Sequence, residues 1–106
     1  MFNIQNNARK LLNQIYLSTE SSPKKYKFEM VQELKLCGMQ ILKNIIWANQ
    51  NDRKNIERQM HQQEAINYLI YFSELLIVCK DHKCLTEHQF NFIIEISSAL
   101  KESIEN

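Results

Sequence analysis

The sequence predicts an all-α protein, an antiparallel up-down four-helix bundle. Three observations carry this: one glycine and one proline in 106 residues, a 44% hydrophobic content, and apolar residues recurring every three or four positions. A many-stranded β-fold needs more turn residues than one Gly and one Pro supply. The length suits a single domain over residues 1–106 with one core.

The first helix is expected over about residues 3–18, with Ile4, Ala8, Leu11, Leu12 and Ile15 on one side. Ser22-Pro23 restarts the chain, serine as N-cap and proline at the first helical position, where a missing N–H costs nothing. The second helix, Pro23 to Asn49, carries Phe28, Val31, Leu34, Gly38, Ile41, Leu42 and Ile45 on one broad face. Gly38 costs about 1 kcal/mol of helix propensity against alanine, a loss that close approach of a neighbouring helix compensates. After the polar break Asn49-Gln50-Asn51-Asp52, Asp52 is expected to cap a third helix reaching Asp81. Its core seam is read as Ala65, Tyr68, Phe72, Leu75 and Cys79. A second seam, Ile66, Ile70, Ser73 and Ile77, lies more than a quarter-turn away. Either a wide core-facing arc or a subunit interface accounts for it; subunit association is the reading adopted, with Ile66, Ile70 and Ile77 as interface residues. Thr86-x-x-Gln89 is a capping box, flanked by Leu85 and Phe90 as a hydrophobic staple. It starts a fourth helix with Phe90, Ile93, Ser97, Leu100 and Ile104 on one face.

The run CKDHKCLTEHQF (Cys79–Phe90) places two cysteines and two histidines within ten positions. Structural zinc sites pair two separated ligand couples, and C-x2-H-x-C-x3-H crowds all four into one turn. Helix initiation explains the segment, so no metal and no cofactor is expected. No Glu-x-x-His pair, His-Glu-x-x-His, phosphate-binding glycine loop or nucleophile elbow occurs. A small helical ribonuclease needs an arginine and a histidine at close helical spacing; Arg53 and Arg58 precede His61 at other gaps. The expectation is a protein that is not an enzyme. Cys37 reads as a small residue at the core edge. Three cysteines and no apolar leader in MFNIQNNARK fit a reducing cytosol, and Leu69–Cys79, interrupted by Glu74, is too short to span a bilayer.

The net charge of +1 is unevenly divided: residues 1–60 hold ten Lys/Arg against five Asp/Glu, residues 61–106 three against seven. Lys24, Lys25 and Lys27 crowd the start of the second helix, where cations oppose the helix dipole. Arg53, Lys54 and Arg58 begin the third, and Lys35 and Lys43 lie on the second. Solvated surface charge is one reading; phosphate contact, favoured by counterion release, is the other. Leu36 and Trp47, on the otherwise polar side of the second helix, form a candidate partner anchor.

Taken in order, SPKKYKFEM, LKLCGMQILKNIIWANQ, AINYLIYFSELLIVCK and CLTEHQFNFIIEI resemble the bacterial four-helix-bundle family of the accessory variability determinant of diversity-generating retroelements. The same family holds proteins encoded in intervening sequences of ribosomal RNA genes. The resemblance runs from about Leu11 onward. It implies a homopentameric barrel that binds a reverse transcriptase and RNA or DNA in the cytoplasm and supports mutagenic copying of a template RNA. The basic surface it implies maps onto Lys24, Lys25, Lys27, Lys35, Lys43, Arg53, Lys54 and Arg58. The ribosomal-intervening branch ends its second helix on Ala-Asn-x-Ala-Glu-Gly, and this chain has Ala48-Asn49-Gln50-Asn51-Asp52, a departure that favours the retroelement branch or an orphan relative. A structural oligomer or protein adaptor without nucleic-acid binding is the alternative.

Overall fold

The computed structural model describes residues 3–106, all of whose regular structure is helical. Met1 and Phe2, included in the expected domain, lie outside the described residues. Helix α1 spans Ile4–Thr19. Helix α2 is composite: an opening turn Lys24–Tyr26, a π-helical turn Lys27–Val31, and the α-helix Gln32–Asn49. Helix α3 spans Ile56–Asp81 and α4 spans Glu87–Glu105. Each helix packs on the one before it, and α4 closes the square against α1. The connections, residues 20–23, 50–55 and 82–86, are too short for anything but antiparallel neighbours. The particle measures 45 × 25 × 18 Å.

Local chemistry sets each boundary. Asn3 Oδ1 accepts from the Asn6 N–H at 3.0 Å and starts α1. Ala8, Leu11 and Ile15 form its buried stripe, with Ile4 and Leu12 at the margin. Ser22 is not the cap of α2. Its hydroxyl is buried and donates to the Cys84 carbonyl at 2.6 Å, tying the first loop to the third, and Pro23 takes the cap position instead. The π-turn then changes the face of α2. Tyr26 and Val31, five residues apart, both turn inward, and the Gln32 N–H reaches the Lys27 carbonyl. Phe28, expected in the core, is therefore swung outward and is 88% exposed. Beyond the π-turn the expected face holds: Val31, Leu34, Ile41 and Ile45 are buried and Leu42 is half-buried. Gly38 marks the close crossing of α1, since a Cβ there would lie 2.9 Å from Ile15 Cδ1 and 3.0 Å from Leu12 Cδ1.

Asn55, not Asp52, caps α3, its Oδ1 accepting from the Glu57 N–H at 2.8 Å. Arg53 and Lys54 consequently sit in the loop rather than on the helix. The α3 stripe is Ala65, Leu69, Phe72, Leu76 and Cys79, all buried; Tyr68 and Leu75, expected in that seam, are only half-buried. Both readings share Ala65, Phe72 and Cys79. Burying Leu69 and Leu76 leaves the Tyr68 hydroxyl at the edge, where it can meet water.

The Cys79–Phe90 segment is the end of α3, a turn over residues 82–86 and the start of α4. At the end of α3 the Cys84 N–H donates to the Cys79 carbonyl at 2.8 Å and the Lys83 N–H to the Lys80 carbonyl at 2.9 Å, a Schellman motif. Cys79 and Cys84 are its apolar side-chain pair, both buried. Lys83 occupies the position that favours glycine, with φ 64°. The capping box follows: Thr86 N–H donates to Gln89 Oε1 at 2.9 Å and Gln89 N–H to Thr86 Oγ1 at 3.1 Å. Leu85 is buried, Phe90 is half-buried, and Ile93, Ser97, Leu100 and Ile104 line the core.

Two stability predictions follow from these turns. Lys83→Gly relieves the left-handed backbone and should raise stability by up to about 1 kcal/mol, read as a higher denaturant midpoint. Ser22→Ala strands the buried Cys84 carbonyl and should lower stability by about 1–2 kcal/mol in the same experiment.

Candidate interaction surfaces

The outward side of α2 carries Leu36, Met39, Lys43 and Trp47 at spacings of three and four, so they share one stripe. Leu36 is 47% and Trp47 41% exposed. Trp47 is held rather than loose. Lys43 Nζ lies 5.0 Å from its ring centroid and the His61 ring meets it at 5.2 Å. His61 is fixed in turn. Buried Asn44 donates its amide to the Gln40 carbonyl at 2.9 Å, leaving its Oδ1 to accept from His61 Nδ1 at 3.1 Å. Beside Trp47 is a shallow, largely apolar cavity of about 210 Å³ bordered by Leu12, Met39, Leu42 and Ile46. Met39 was not singled out from sequence, although its three-residue offset from Leu36 places it on the same stripe.

Helix α3 presents the second outward patch. Ile70 and Ile77 are 51% and 41% exposed, while Ile66 is half-buried against the protomer's own core. Ile66 and Ile70 border a groove of about 540 Å³ between α3 and the C-terminal end of α4. Tyr71 and Val78 are also exposed and extend the patch around α3. The seven-residue pairs Ile70/Ile77 and Tyr71/Val78 were the available signal for this wider face.

The basic residues do not form one cluster. Lys24, Lys25 and Lys27 stand at the pole made by the first and third loops, and Arg53, Lys54 and Arg58 at the opposite pole. The two are about 40 Å apart along the 26 residues of α2, at 1.5 Å per residue. Arg58 is committed within the chain: its Nη1 donates to the carbonyls of Ala48 and Asn51 at 3.2 and 3.0 Å, closing the C-terminal end of α2. Lys35 lies over Tyr16 at 4.6 Å, as Lys43 lies over Trp47. Lys80 and Lys83, not among the sequence candidates, border a cavity of about 500 Å³ at the first pole with Ser21, Thr86 and Gln89. Among the described residues the one ion pair is Lys101–Glu105. Because α1 and α2 are neighbours, as are α3 and α4, the basic and acidic halves of the sequence become opposite sides of the bundle.

The groups with potential chemistry are engaged inside. Cys37 is buried, its thiol donates to the Tyr68 carbonyl at 3.3 Å, and burial, reinforced by Glu33, pushes its pKa up to about 12. Burial also pushes Cys79 up to about 12, with Cys84 beside it, and raises Cys84 itself. Such thiols are poor nucleophiles and poor metal ligands. His82 and His88 are exposed, and among the described residues no three His, Cys, Asp or Glu side chains come together as a metal site. Arg58 and His61 point to different α2 partners. Among the described residues no helix is long and apolar enough to cross a membrane. No protein-family model and no curated protein matches the chain.

The thiols yield a pH prediction. Their folded pKa lies above the unfolded value, so the native state holds protons that the unfolded chain releases first. This contribution to stability is complete below about pH 8.5 and is lost as pH rises toward 12. Denaturant midpoints should fall over that window, and a thiol reagent at pH 8 should modify the cysteines quickly only after unfolding.

Proposed function

We propose that this chain is a non-catalytic, self-associating accessory protein of the cytoplasm. Its partners are a reverse transcriptase and RNA or DNA, which it helps bring together during copying of a template RNA. The observation that carries the self-associating part is the pair of outward apolar patches, Leu36/Met39/Trp47 on α2 and Ile70/Tyr71/Ile77/Val78 on α3. They lie on bundle sides of opposite charge, an arrangement suited to docking the basic side of one copy on the acidic side of the next. Repeated contacts of that kind make a ring when their rotation closes, and the family resemblance points to a closed ring of five copies. The polymerase and template RNA come from the resemblance alone. The lysine-rich pole agrees with a nucleic-acid partner.

A second reading, a protein adaptor that leaves nucleic acid alone, is favoured by the way Lys35 and Lys43 lie over aromatic rings and Arg58 closes a helix end.

Light scattering separates the first claim: a particle near five times 12.7 kDa is expected, and a stable monomer rejects self-association. Ile70→Glu with Ile77→Glu should reduce the particle to protomers with helicity retained. Reversing Lys24, Lys25 and Lys27 to Glu should weaken RNA binding and flatten its salt dependence. RNA affinity indifferent to both salt and reversal leaves the adaptor. Co-purification with the reverse transcriptase encoded beside it tests the partner.

A further inference from the structure

We infer that Phe28 and the lysines around it form a stacking site for single-stranded nucleic acid. The inference rests on the nucleic-acid contact proposed above and narrows it to one place and one mode. Phe28 is the most exposed large apolar side chain among the described residues, at 88%, and it sits on the π-helical turn of α2. Regular α-helix would return it toward the core face; the π-turn presents it. The fold gains nothing from a phenylalanine there.

Its surroundings are rigid and cationic. Tyr26, two residues earlier, is half-buried and packs at 5.4 Å against the His82 ring, pinning the start of α2 to the third loop. Lys27 Nζ donates to the Glu20 carbonyl at 2.7 Å and braces the same turn across the first loop. Lys24 and Lys25, four and three residues before Phe28, lie on its side of the helix. Lys25 Nζ stands 4.8 Å from the Tyr26 ring. Among the described residues none of these lysines has a carboxylate partner, and Glu29 is the one acidic side chain within the π-turn. Beyond the third loop the charge is mixed, with Lys80 and Lys83 bordering a cavity that Glu87 also lines and Lys80 lying over the Phe90 ring at 4.5 Å.

The cations beside the ring favour a polyanion that offers an aromatic face over an apolar protein pocket. One ring suffices for an unpaired base, which needs one aromatic face and cations for the flanking phosphates. A duplex keeps its bases stacked on each other and cannot use the ring.

The test is fluorescence anisotropy with a labelled 20-nucleotide single-stranded RNA and with the duplex of the same sequence, at two salt concentrations. Phe28→Ala should weaken single-strand binding about 5- to 100-fold, leave the salt slope unchanged, and leave duplex binding unaffected. Phe28→Trp should bind like the parent. Because the side chain is exposed, both variants should melt with the parent by circular dichroism. If Phe28→Ala binds as the parent does while the Lys24, Lys25 and Lys27 reversals weaken binding, the stacking site is rejected and the nucleic-acid contact stands. If the parent binds neither strand form, both fall. Flotation with phosphatidylserine vesicles that is lost in Phe28→Ala, without strand binding, also overturns the inference and makes the ligand a membrane surface.

Discussion

Each helix of a square bundle touches two neighbours and can bury one stripe, and that limit organises everything else in this protein. On α3 the stripe is Ala65, Leu69, Phe72, Leu76 and Cys79, and on α2 it runs from Val31 through Leu34 and Ile41 to Ala48. Gly38 lets α1 approach closely enough for Ile15 and Leu12 to close over the same core. The chain is richer in apolar residues than four stripes can absorb. Part of the surplus gathers in two patches, on the outer sides of α2 and α3, while Tyr16, Leu17, Phe28, Ile56, Met60 and Phe92 are exposed elsewhere. A domain of this size exposes single apolar residues without consequence, whereas contiguous stripes are what the proposed self-association would cover.

The ends of the bundle show why metal-capable residues need not make a metal site. Cys79 and Cys84 supply the apolar pair of the Schellman turn, and the Cys84 carbonyl accepts the Ser22 hydroxyl. The turn thus locks the first loop to the third. The buried side-chain polar atoms among the described residues all have partners, leaving no unpaired group inside for a ligand to satisfy.

Where helices start from strong local signals, the sequence was sufficient. The Thr86/Gln89 box, the α4 face and the close approach at Gly38 follow from short-range chemistry, and the structure has each of them. The misses share a cause: competing local solutions that only packing resolves. The run Leu69–Cys79 is apolar enough to support two registers, and the packed bundle has the one that leaves Tyr68 half-buried at the edge. The segment from Asn49 to Asn55 offers several capping side chains, and Asn55 takes the role expected of Asp52. Phe28 was assigned to the core because a 3.6-residue period cannot register a π-turn, whose extra residue rotates all that precedes it. The surface readings were legible as residue types but not as places: the basic residues divide between two poles, and Arg58 turns inward.

The two poles of α2 differ in a way that bears on what the protein touches. At its C-terminal end the carbonyls meet Arg58, a cation where the helix dipole is negative, and the electrostatics are satisfied within the chain. At its N-terminal end Lys24, Lys25 and Lys27 crowd the positive end of the dipole, without carboxylate partners among the described residues. Both departures from regular backbone, the π-turn at Lys27–Val31 and the left-handed Lys83, belong to this same end. A fold selected for stability alone would place acidic residues at that helix start, glycine at position 83 and a polar residue at position 28. The like charge gathered at this pole is what an anion settling on the lysines would neutralise, the contact proposed above for nucleic acid.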